Sequence, residues 1–62
     1  MTDDEIFQSE EYKIYHKKVV DNCVEIMADR VRKFFDSCDY LEAFKKKVDP
    51  WDEAQENVDA LD

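Results

Sequence analysis

Few residues in this chain are equipped for chemistry: one histidine, His16, two cysteines, Cys23 and Cys38, and a large excess of carboxylates. A metal centre would have to rest on His16 with carboxylates or thiols. No CxxC, HExxH, ExxH or calcium-loop spacing is present to assemble one. Asp21, Glu25 and Asp29 repeat at i,i+4 on one helix face and could hold a divalent cation loosely, but acids on an outer face are ordinarily solvated. His16 shares a helix face with Tyr12 beside an apolar stripe. That position suits a partly buried or partner-facing ring better than a ligand or a general base. Neither cysteine has a histidine beside it in sequence to draw off its proton. With no glycine, the chain has no phosphate-cradling loop. The expectation is a non-enzymatic chain with no catalytic residue, no metal and no cofactor.

The elements that must position these groups are helices. Residues 12–48 contain no glycine and no proline. Within them Val20, Val24, Met27, Val31, Phe34, Cys38, Leu41 and Val48 recur at alternating spacings of four and three, with Lys45 where another apolar residue would fit. This is the a/d stripe of a helix packed lengthwise on another helix. Tyr12, Tyr15, Val19, Cys23 and Ile26 widen it, as for a helix touching two neighbours. Lys18, Asp21, Asn22, Glu25, Asp29, Arg32 and Lys33 form the opposite, solvent face, where Asp29 and Lys33 make a favourable i,i+4 pair. Running straight from residue 10 to 48, such a helix would be about 57 Å long, too long for a chain of this size to cover. It must bend or pair with another chain. The bend is expected at Asp36-Ser37-Cys38-Asp39, whose short polar side chains compete for backbone hydrogen bonds.

Cap signals set the ends. Thr2 before Asp3, Asp4 and Glu5 reads as a helix start, and Ser9 before Glu10 and Glu11 as a second possible one. Asp49-Pro50-Trp51-Asp52-Glu53 starts another helix, with an acidic N-cap and proline at the first helical position. Its apolar residues, Trp51, Ala54, Val58 and Leu61, form one narrow stripe. Lys45, Lys46 and Lys47 suit the negative end of the preceding helix, and Glu42 reaches Lys46 at i,i+4. The tripeptide Asp49-Pro50-Trp51 also resembles the DPW ligand that clathrin-adaptor appendage domains recognise; a helix start accounts for the same three letters.

The predicted class is all-α: one small helical domain over residues 1–62, with an acidic N-terminal segment (1–11), a long amphipathic helix or hairpin (12–48) and a short acidic C-terminal helix (49–62). A helical hairpin, a three-helix arrangement or a coiled-coil-like oligomer would satisfy it. On one continuous helix Cys23 and Cys38 would lie more than about 20 Å apart, so both are read as reduced, buried thiols.

Charge narrows the functions further. The net charge is −8, unevenly spread: residues 1–11 and 49–62 carry acids only, whereas residues 12–35 hold six bases against three acids. Acidic ends around a mildly basic middle favour folding back or antiparallel pairing, and disfavour direct nucleic-acid binding, which needs a concentrated basic face. No window approaches the roughly eighteen apolar residues of a membrane span, and the acidic N-terminus is unlike a signal peptide. A cytoplasmic protein is expected. The leading expectation is a protein–protein interaction module, an adaptor, regulatory subunit or inhibitor, contacting itself or another protein. Ile6, Phe7, Tyr15, Phe35 and Trp51 are its candidate contact residues, each large, apolar and off the main stripe or near an end. The alternatives are a DNA-mimicking inhibitor and an acidic C-terminal helix that serves as a groove-binding ligand.

Overall fold

The computed structural model describes residues 2–27 and 29–60, the side chain of residue 29 excepted, and among these all regular structure is helical, with no strand. Five α-helices follow in order: α1 (Asp3–Gln8), α2 (Glu10–Ile26), α3 (Arg32–Asp36), α4 (Leu41–Lys45) and α5 (Pro50–Ala60), with a 3₁₀ turn at Asp29–Val31 before α3.

Both N-terminal cap signals are used. The Glu5 amide donates to Thr2 Oγ1 at 3.3 Å and the Tyr12 amide to Ser9 Oγ at 3.3 Å. Ser9 is extended and also closes α1, since its own amide and hydroxyl both donate to the Ile6 carbonyl. At the other end of the chain the Trp51 amide donates to Asp49 Oδ1 at 2.9 Å, which starts α5 where the sequence places it.

The long central element is not one helix. It ends at Ile26, ten residues before the expected bend, and the chain turns into the 3₁₀ segment with no glycine or proline to mark the place. The reason is tertiary. Folding α3 back on α2 encloses Phe35 and Tyr40 with Val19, Val20 and Cys23, and α5 adds Ala54 and Val58 to the same cluster. A straight helix would leave these residues in water. The bend expected at residues 36–39 is also real, as a second break. There the Ser37 hydroxyl donates to the Phe34 carbonyl and Asp39 Oδ1 accepts the Leu41 amide.

Only part of the a/d series packs within the chain: Val20 and Leu41 are buried, and Val31 and Cys38 rest against the main cluster. The neighbouring stripe, Tyr12, Val19 and Cys23, is buried, while Met27 and Phe34 of the series face outward. The break resets the helical phase, so that α3 turns Phe35 inward and leaves Phe34 55% exposed. Cys23 and Cys38 accordingly share one core cluster instead of lying a helix length apart, and both are free thiols. Leu61 and the Asp29 to Lys33 pair lie outside the described residues.

Three tyrosines on or beside this core tie the connections down. Tyr12 Oη accepts the Tyr40 amide at 3.0 Å, the Tyr40 hydroxyl donates to the Phe35 carbonyl at 2.6 Å, and the Tyr15 hydroxyl donates to the Val48 carbonyl at 2.8 Å. A smaller cluster of Ile6, Tyr12 and Leu41, with Phe44 against it, joins α1 and α4 to α2.

Helix α4 ends in a complete Schellman motif. The Val48 amide donates to the Ala43 carbonyl at 3.0 Å and the Lys47 amide to the Phe44 carbonyl at 3.2 Å. Lys47 occupies the left-handed position at φ 60°, which costs a side chain with a Cβ roughly 1–2 kcal/mol. Lys47→Gly is therefore expected to stabilise the chain by about 1 kcal/mol, a rise of about 4–8 °C in Tm by circular dichroism. A lowered Tm would show that the Lys47 side chain contributes more than its backbone strain removes.

Candidate functional site

The break after α2 has a second consequence: it gathers cations. Lys17 on α2, Arg30 in the 3₁₀ turn, and Arg32 and Lys33 on α3 line one open cleft of about 530 Å³, with Asp36 at the end of α3 the one acid among the described residues that line it. On a straight helix Lys17 and Lys33 would be about 24 Å apart. Arg32 donates to Asp21 Oδ1 at 2.9 Å, a contact between exposed side chains that braces α3 against α2. Asp36 is held by His16, whose Nε2 donates to the Asp36 carbonyl at 3.0 Å and stands 3.4 Å from its Oδ1. The imidazole lies 5.1 Å from the Tyr40 ring and 6.0 Å from that of Tyr12, centroid to centroid, in the partly buried setting expected of it.

The remaining three cations of the lining share the state of most of the chain's bases. Among the described residues Lys17, Arg30 and Lys33 form no ion pair, in a chain with almost two acids for every base. Lys45 is paired with Asp3 at 2.9 Å and Lys46 with Glu42 at 3.7 Å. Lys13, Lys18 and Lys47 are also unpaired but stand outside the cleft. Arg and Lys side chains converging on a concavity can hold an oxyanion by charge-assisted hydrogen bonds.

The buried thiol and phenols of the core hold their protons to high pH. Burial pushes the Cys23 thiol up to about 11, with the charges of Glu53 and Cys38 adding to the effect, and its Sγ lies 3.8 Å from the Ala54 carbonyl. Burial likewise raises Tyr12, raises Tyr15 to about 12, and raises Tyr40 further. Among the described residues no three His, Cys, Asp or Glu side chains are grouped so as to share a metal ion, and Asp21 of the acidic row is engaged by Arg32. No helix among them is long and apolar enough to cross a membrane.

The five candidate contact residues are not brought together. Phe35 is 1% exposed at the centre of the main cluster, and Ile6 is buried against Tyr12 and Leu41, so both serve the core and not a surface. Tyr15 is half-buried, bound to Val48 and packed edge-on against Phe44 with centroids 5.5 Å apart. Phe7 is exposed on one side and meets Tyr12 edge-on at 5.1 Å. Trp51, in the first turn of α5, is 44% exposed although Ala54 and Val58 of its stripe are buried. Sequence reasoning missed Ile14, Met27 and Phe34, which are exposed, because the stripe assigned the last two to a core. It also read Arg32 and Lys33 as plain solvent face. The excess of base over acid in residues 12–35 was the available signal for the cleft. No family model matches the chain, and no curated protein and no solved structure matches it.

Proposed function

We propose that this chain is a small non-enzymatic binding module, an adaptor, regulatory subunit or inhibitor, that holds an acidic segment of another protein in the cleft between α2 and α3. One observation carries the reading: Lys17, Arg30 and Lys33, drawn from three successive elements, line one cavity and form no ion pair among the described residues of an acid-rich chain. Phe34, adjacent to Lys33 in sequence, is an exposed aromatic side chain on the same short helix. Aromatic and Arg side chains are the groups that most often carry the binding energy of an interface. The two reduced thiols in one core cluster support a reducing, cytoplasmic setting.

The alternatives fare less well. A detachable C-terminal ligand would have to withdraw Ala54 and Val58 from the main cluster and uncover Val19 and Cys23. A DNA mimic would need an unbroken acidic face, which the basic cleft interrupts.

The test is the solution mass of the intact chain at micromolar concentration, alone and with cell extract, by light scattering and sedimentation. A heterocomplex is expected that survives Lys46→Glu but is lost in Lys17→Glu combined with Lys33→Glu, with helicity kept in both variants. A complex indifferent to the cleft charges would overturn the reading, and a doubled mass for the purified chain alone would assign the face to a second copy.

A further inference from the structure

The chemistry of the cleft narrows what the partner presents there. We infer that it takes a phosphate monoester carried on a serine, threonine or tyrosine side chain of the partner, an inference that rests on the acidic-segment reading above. A lone carboxylate brings one charge and two acceptor oxygens. Three cations without an ion pair among the described residues, Lys17 on α2, Arg30 in the 3₁₀ turn and Lys33 on α3, line a volume of about 530 Å³. A phosphate ester brings a charge of about −1.5 to −2 and three acceptor oxygens, enough for each of these three cations to find a partner. Arg32, engaged with Asp21 at 2.9 Å, braces the wall. His16 holds Asp36, which also lines the cleft, at the end of α3.

The extent of the cleft selects against a polyanion. Binding to nucleic acid requires phosphate contacts along an extended basic surface, and this protein carries a net charge of −8 with acids concentrated at both ends. A single compact dianion needs only the bases of the cleft, whereas a nucleic acid would need a longer row of them. The exposed Phe34 ring offers a neighbouring apolar residue of a peptide a surface to rest on.

The test uses the full ¹⁵N-labelled chain at constant ionic strength, titrated with a short phosphoserine peptide, the same peptide with glutamate or serine at that position, and inorganic phosphate. The phosphopeptide is expected to bind at least about tenfold tighter than the glutamate peptide, with shifts centred on Lys17, Arg30 and Lys33. Arg30→Gln combined with Lys33→Gln should lower its affinity at least about tenfold with helicity intact, while Lys46→Gln leaves it unchanged. Equal affinity for the glutamate peptide would overturn the phosphate assignment and leave the acidic-segment reading standing. Shifts centred on residues 45–47, or none for any peptide, would overturn both. Inorganic phosphate binding as tightly as the phosphopeptide would move the site to a free anion, and an oligonucleotide that displaces the phosphopeptide at equal phosphate concentration would move it to nucleic acid; either result overturns the inference.

Discussion

Replacing Phe35 with alanine is expected to leave the chain mostly unfolded at 25 °C. Phe35 is the largest of the fully enclosed side chains and sits among Val19, Val20, Cys23 and Tyr40, so its loss opens a cavity that the short helix α3 has little material to refill. Such truncations cost about 3–5 kcal/mol, and a core of this size rarely supplies more than about 3–5 kcal/mol in total. The adjacent residue is the control. Phe34→Ala removes a side chain that is 55% exposed and should change stability by no more than about 0.5 kcal/mol. Urea titration followed by circular dichroism measures both. On one unbroken helix with its a/d stripe inward, the two effects would be exchanged, so a tolerant Phe35 beside a sensitive Phe34 would refute the phase of α3 described here. If Phe34 anchors a partner, its alanine variant should keep the fold and lose the complex.

Raising the pH should unfold the protein over a window above neutrality, because several of its acidic hydrogens are buried with it. An unfolded chain releases a cysteine proton near pH 9 and a tyrosine proton near pH 10, whereas the folded chain holds that of Cys23 to about 11 and that of Tyr15 to about 12. Burial also raises Tyr12 and Tyr40. The unfolded state therefore loses its protons first, and stability, complete below pH 9, falls as the pH rises towards 12. Each group contributes a slope of up to about 1.4 kcal/mol per pH unit, and several together exceed the whole stability of a chain this size. The loss of the Tyr40 and Tyr15 protons also removes the donors to the Phe35 and Val48 carbonyls. Helicity and tyrosinate absorbance, recorded together against pH, should change in one cooperative step between pH 10 and 12. Tyrosines that ionise near pH 10 while the helices persist would show that these hydroxyls are not enclosed.

The cap signals and the burial pattern differ in how far each could be read. Thr2, Ser9 and Asp49 act on amides two or three residues away, so their effect is written in the adjacent letters and the starts of α1, α2 and α5 follow from them. The apolar pattern of residues 12–48 is equally plain, but two stripes side by side allow more than one inward face. Nothing local distinguishes Phe34 from Phe35. The contact candidates divide for the same reason: Trp51 and Phe7 remained at the surface, while Phe35 and Ile6 were drawn into clusters with residues distant in sequence.

By itself the sequence determined the helical class, three of the helix starts and the uneven distribution of charge, because each depends on composition or on hydrogen bonds within one turn of chain. The tertiary structure alone decided that α2 ends at Ile26, that α3 presents Phe35 inward, that Cys23 and Cys38 share one cluster, and that Lys17 meets Arg30 and Lys33 around a cleft. These outcomes turn on how much apolar surface a fold-back removes from water, a sum over residues far apart in the chain that no local pattern records.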